Sequence, residues 1–139
     1  QDVALEEQKK AEVAEENVAD TEEKLIDHAV GMNYCAGSEE IYRKIMSIFC
    51  EQYDEKRTGL QRLFDCEDWD GYTVQIHALK SNALNIGAEK LSALCLQLEM
   101  AGKKIRASEE VEQNVEYIKN NHIFTMQTYE EVVKAAKEY

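Results

Sequence analysis

The chain has 139 residues, of which 28 are Asp or Glu and 16 Lys or Arg, with 44% hydrophobic and 8% aromatic residues. That suits one domain with a modest core. The formal charge of −12 and the pI near 4.7 argue against a nucleic-acid partner or direct contact with an anionic membrane, because either would need clustered Lys and Arg to neutralise phosphates.

No apolar run approaches the roughly 18 residues of a membrane span, and no secretory pattern opens the chain. The first residue is Gln, so the chain is expected to be cut from a longer one whose membrane anchor, if any, lies elsewhere. Cysteines stand at 35, 50, 66 and 95 without a CxxC pair or a His at ligand spacing. The expectation is four reduced, mostly buried thiols in the cytoplasm, and no metal site. With no proline and only 6 glycines, chain breakers are few and strict alternation is absent, so the fold is predicted to be all-α.

Residues 1–23 read as an acidic helical linker or extension. From Gln1 to Lys24 there are nine acids against Lys9, Lys10 and Lys24, with sparse apolar positions (Val3, Leu5, Val13, Val18). Residues 24–139 read as the bundle. Asp20 or Thr21 is predicted to cap a short helix through about Met32, followed by a break from Gly31 to Gly37. Ser38, with Glu39 and Glu40 behind it, then opens a long helix reaching about Asp65, with Ile41, Ile45, Ile48 and Gln52 along its apolar stripe and Phe49, Tyr53, Leu60, Leu63 and Phe64 beside or beyond.

Asp68 caps the next helix, striped by Trp69, Tyr72, Ile76, Leu79, Ala83 and Ile86 and ended by Gly87. A further helix carries Leu91, Leu94, Leu98, Ala101 and Ile105. Ser108 caps the last, which runs through Val111, Val115, Ile118, Tyr129, Val132 and Ala136. Short breaks between long helices favour antiparallel neighbours, which predicts an up-and-down four-helix bundle with an additional N-terminal helix.

One polar residue is out of place in this pattern. On the helix after Asp68, with about 100° per residue and Ile76 at zero, the core stripe centres near 320° and His77 falls near 100°, away from it. Asp70, Thr73, Ser81 and Leu84 share its side, and Lys80 leans in from the boundary. Folding back at Gly87 and Ala88 brings residue 77 opposite about residue 98, so Glu99, at the edge of its own core stripe, is within reach. A carboxylate there can accept the proton of one imidazole nitrogen and leave the other outward and nucleophilic. His28 and His122 lack such surroundings and read as surface histidines.

The segment HALKSNALNIGAEKLSALCLQLEMAGK, His77 to Lys103, resembles the signature of histidine-containing phosphotransfer (HPt) domains. It carries His77, Leu79, Lys80, the small Ser81, Gly87, and Leu98 followed by Glu99. The stretch from Gly31 to Phe49, with Gly37-Ser38-Glu39-Glu40 and Tyr42, is similar to the family's second helix and its approach, and the resemblance covers about residues 24 to 120. Ser81 stands where Gly is more usual, and Glu99 where many members have Gln.

The resemblance implies that His77 accepts a phosphoryl group, that Lys80 helps balance its charge, and that residue 81 stays small so a partner can approach across Thr73, Ser81 and Leu84. The chemistry agrees: an imidazole with an ordinary pKa near 6.5 is largely neutral at pH 7, and the phosphate brings roughly −2 charge. No ATP-binding loop or metal motif is evident, so the chain is expected to be a phosphocarrier without kinase machinery and without a bound cofactor. Mg²⁺ and the catalytic carboxylates would then come from response-regulator receiver domains.

The acidic opening resembles the linker that joins such a module to an upstream receiver in a hybrid sensor kinase, which would make the chain a cytoplasmic part of a membrane-anchored kinase. Three rivals stand beside this: a di-iron or zinc bundle enzyme, for which no Glu-x-x-His pair is present; a non-phosphorylated adaptor bundle; and the phosphotransfer domain of a chemotaxis-type kinase.

Overall fold

The computed structural model describes residues 24–139, all of whose regular elements are helices. These are α1 (His28–Tyr34), α2 (Glu39–Glu51), α3 (Tyr53–Asp65), α4 (Trp69–Asn85), α5 (Glu89–Arg106) and α6 (Val111–Lys137). The predicted all-α bundle is observed. Helices α4, α5 and α6 form three of its columns and α2 with α3 the fourth, while α1 covers the end where α4 turns into α5. The proposed extension, residues 1–23 with Asp20 and Thr21, lies outside the described residues, so the division at residue 24 remains an expectation from sequence.

Local chemistry sets the helix starts. The Asp27 carboxylate accepts from Ala29 N at 3.1 Å and Val30 N at 3.4 Å, Ser38 Oγ accepts from Ile41 N at 3.2 Å, and Asp68 accepts from Gly71 N at 3.0 Å. Each satisfies an amide that the first turn leaves without an intrahelical partner. The first described helix therefore begins at His28, and Gly31 lies inside it.

Helix ends follow one motif four times. Ala36, Glu67, Gly87 and Ser108 all have positive φ, and after each of the four helices two amides return to carbonyls of the last turn, as in Ala88 N to Ala83 O at 2.8 Å and Gly87 N to Leu84 O at 3.0 Å. This is the Schellman arrangement, reached with glycine only once. It also corrects the expected role of Ser108: that residue terminates α5 in the left-handed region, and Glu110 stands at the N-cap of α6 without a side-chain hydrogen bond.

Two further expectations change. The long helix through Asp65 bends at Gln52, whose ψ of −7° departs from helical geometry. Before the bend α2 packs on α6, and after it α3 turns onto α4. The isoleucine stripe is also only in part the buried one, with Ile45 packed against the core. Tyr42, Met46 and Phe49 face the core, while Ile41 and Ile48 are each about half exposed. Two apolar rows one residue apart lie on this helix, and only the partner chooses between them: Phe49 and Tyr53 pack edge-on against Tyr129 of α6, with ring centroids 5.6 and 4.8 Å away.

On α4 the predicted row is the observed one. Tyr72, Ile76, Leu79, Ala83 and Ile86 are buried and Trp69 is partly so. Of the thiols, none of which is paired, Cys35 and Cys95 are buried, Cys50 is half-buried and Cys66 is exposed. "Mostly buried" therefore holds for the first three and fails at the end of α3, where Cys66 caps a turn on the surface.

Candidate functional site

Helices α4 and α5 form an antiparallel hairpin in which Gly102 is pressed against the side chain of Thr73. Thr73 Oγ1 donates to the Trp69 carbonyl at 2.7 Å, so its side chain is anchored on its own helix and α5 comes in close only because residue 102 has no Cβ. One turn along from this contact, the two helices present His77 and Glu99 to each other.

His77 Nδ1 lies 2.7 Å from Glu99 Oε2. Glu99 is 1% exposed, so it is fully buried and not a boundary residue as its wheel position suggests. The reason is that α4 and the two lysines close over it. Lys80 Nζ stands 2.6 Å from Oε1 and Lys103 Nζ 3.2 Å from Oε2. Burial alone would push the Glu99 carboxyl up, but hydrogen bonds from Lys80, His77 and Lys103 outweigh it and hold the group below the ordinary carboxylate range. An ionised carboxylate can only accept, so His77 Nδ1 carries a proton and donates it. Nε2 takes no part in that contact and belongs to a side chain 57% exposed.

A cleft of about 260 Å³ opens beside the imidazole, lined by Asp70, Thr73, Val74, His77, Glu99, Lys103 and Arg106. Of the expected docking residues, Thr73 lines this cleft, Ser81 is exposed one turn beyond His77, and Leu84 is half-buried. Gly87 sits in the turn with φ +85°, and its amide and carbonyl are both used: the carbonyl accepts from Asp27 N at 2.8 Å. Lys80 is only 20% exposed because it is committed to Glu99.

Lys103 and Arg106 do not figure in the sequence reading. A signal for Lys103 was present: it stands four residues after Glu99, the spacing at which a helix pairs an acid with a base. Nothing local marks Arg106, which joins the cleft only because α5 runs antiparallel to α4.

The other histidines are placed differently. His122 is no surface residue: it is fully buried, stacked on Phe64 at 4.1 Å, with Nδ1 2.8 Å from the Tyr72 hydroxyl and Nε2 3.0 Å from Gln61 Oε1. The amide oxygen requires Nε2–H, so the Tyr72 hydroxyl donates to Nδ1, and burial brings the imidazole down to about 4. Both nitrogens are occupied. His28 is exposed, but its Nδ1 lies 2.8 Å from the Tyr42 hydroxyl, which itself donates to the Ile86 carbonyl at 2.8 Å, so Nδ1–H must donate.

Among the described residues no group of three or more His, Cys, Asp or Glu is placed to hold a metal ion, and no helix is long and apolar enough to cross a membrane. Comparison with curated proteins gives no match, and neither does comparison with solved structures. A family model described as "Hpt domain" matches residues 44–135, well over half of the chain and the whole of α4 and α5. Hpt domains are phosphocarrier modules of two-component phosphorelays that exchange phosphoryl groups with receiver domains. With an all-helical bundle under the match and a hydrogen-bonded, outward-facing histidine within it, the chain belongs to the Hpt domain family.

Proposed function

We propose that the chain is a phosphorelay intermediate that accepts a phosphoryl group on His77 from the aspartyl phosphate of one receiver domain and passes it to the aspartate of another. The observation that carries this is the pairing of His77 Nδ1 with the buried Glu99 carboxylate, which leaves Nε2 open.

In the forward step the Nε2 lone pair forms the N–P bond while the acyl-phosphate P–O bond breaks, and the receiver's carboxylate departs with the bonding pair. The ring, still protonated at Nδ1, becomes a phosphoimidazolium whose positive charge lies against Glu99. The return step is the reverse, with a second aspartate as nucleophile, and no proton need enter or leave. Mg²⁺ belongs to the receiver's site on this reading, and this chain supplies the nucleophile and its electrostatic setting.

That setting is cationic although the chain is acidic. Lys80, Lys103 and Arg106 against the buried Glu99 and the cleft's Asp70 leave a net positive charge beside an incoming phosphate. Lys80 compensates phosphate charge through this field, from one turn beyond His77. Thr73, Ser81 and Leu84 keep the approach low for the receiver. The chain works in the cytoplasm on this reading, alone or as the cytoplasmic part of a hybrid sensor kinase.

The test is incubation with a phosphorylated receiver and Mg²⁺. Acid-labile, base-stable label is expected on wild type and none on His77→Gln, while substitution of His28 or His122 leaves labelling in place. Label on His77→Gln, or a folded wild type that takes none, would refute the assignment, the latter in favour of an adaptor bundle.

A further inference from the structure

The cleft beside His77 has two basic residues in its lining, Lys103 and Arg106, and Lys80, one turn beyond His77 on α4, reaches Glu99. Both lysines are held by Glu99 at 2.6 and 3.2 Å. Arg106, the last residue of α5, is exposed and has no ion pair or hydrogen bond among the described residues, not even to Asp70 across the cleft.

Glu99, Lys103 and Arg106 stand at i, i+4 and i+7, one face of α5, so they form a ladder along the cleft. Helical side chains lean towards the N-terminus of their own helix, which directs Arg106 over Lys103 towards His77 and not away from it. Arginine also presents a planar fork of donors that matches phosphate oxygens, where lysine offers only a point charge.

Resting on the phosphorelay reading, we propose that Arg106 is the group that binds the phosphoryl oxygens directly once they are on His77 Nε2, while the two lysines, held on Glu99, contribute through their field. The charged groups facing that phosphoryl would be Arg106 and Lys103 from α5 and Asp70 from α4. Asp70 opposes the phosphate, so a donor on the opposite wall is needed to hold it in the cleft.

The experiment uses the protein phosphorylated by the small-molecule donor phosphoramidate, in which nitrogen–phosphorus bonds are exchanged and ammonia leaves, so that no receiver is needed. The ³¹P resonance of phospho-His77 is then titrated. In Arg106→Gln the second phosphoryl deprotonation is expected two- to tenfold weaker than in wild type, and Arg106→Lys should recover only part of the difference. Lys104→Gln removes a charge from the same last turn but from outside the cleft, and is expected to titrate like wild type.

Superimposable titrations for wild type and Arg106→Gln would overturn the proposal, as would an equal shift in Lys104→Gln, which would reduce Arg106 to a charge at the helix end. Absence of any label on His77 in wild type would overturn the phosphorelay reading and this proposal with it, whereas labelled wild type with an unmoved Arg106→Gln would sink this proposal alone.

Discussion

Gly102→Ala tests whether the close approach of α4 and α5 is what sets the His77–Glu99 contact. A methyl group on Gly102 would collide with Thr73 Oγ1 and stand 2.9 Å from Thr73 Cβ and 3.0 Å from Cγ2. Thr73 cannot turn away freely, because Oγ1 is held on the Trp69 carbonyl at 2.7 Å. Overpacking of this kind costs about 1–3 kcal/mol, while replacing a mid-helix glycine by alanine ordinarily gains up to about 1 kcal/mol. The net expectation is a loss of about 1–2 kcal/mol in urea unfolding.

Relief is local if the clash is local. Thr73→Ala removes Oγ1 and Cγ2 but leaves Cβ, so the double variant should regain most of the loss and not all, with a coupling energy of about 1 kcal/mol or more. Because His77 is one turn from Thr73 and Glu99 one turn from Gly102, the same displacement should lengthen the 2.7 Å contact and slow phosphotransfer in Gly102→Ala, with recovery in the double variant. If Gly102→Ala is instead more stable than wild type, adds independently to Thr73→Ala, and transfers at the wild-type rate, then the helices are not held at this point and the reasoning fails.

Three other outcomes follow from the same geometry. His122, lowered from 6.5 to about 4 by burial, stays neutral in the fold while the unfolded chain takes up a proton, so stability should decline as pH falls from about 6.5 towards 4; at about 1.4 kcal/mol per tenfold change in proton affinity the loss is about 3 kcal/mol. His122→Leu should flatten that decline, whatever it costs at neutral pH, and an unchanged slope would assign the decline to other groups; the lowered Glu99 acts in a lower window, its contribution being lost only below the ordinary carboxylate value. Glu99→Gln retains an acceptor for Nδ1–H and should transfer faster than Glu99→Ala, with ¹⁵N shifts showing His77 in the Nδ1–H form in Gln and a mixture in Ala; identical tautomer populations in both would mean that residue 99 does not orient the ring. Ser81→Trp, at an exposed position on α4, should leave the melting temperature and helical circular dichroism within error of wild type yet slow transfer from a receiver at least tenfold, and unimpaired transfer would move the docking face elsewhere.

How much of this was legible beforehand depended on how local each feature is. Asp68, Gly87 and the α4 stripe were readable because a cap, a left-handed turn and a 3.6-residue period are properties of neighbouring residues. The outward direction of His77 and the reach of Glu99 followed from the same period plus one hairpin turn. Ser108 was misread because a serine suits an N-cap and, at some strain, a left-handed C′ position, and the hydrogen bonds of the preceding helix decide which.

What the sequence determined by itself, then, was the all-helical class, the position of the α4–α5 hairpin and the candidate pair His77 and Glu99, all set by spacing along one or two helices. Tertiary structure alone decided the rest. It chose Tyr42, Met46 and Phe49 over the isoleucine row of α2, buried His122 between Phe64, Tyr72 and Gln61, closed Lys80 and Lys103 over Glu99, and brought Arg106 to the cleft. In each case the side chain's environment is made by residues tens of positions away, and burial, which sets both packing energy and proton affinity, is a property of those partners and not of the chain around the residue.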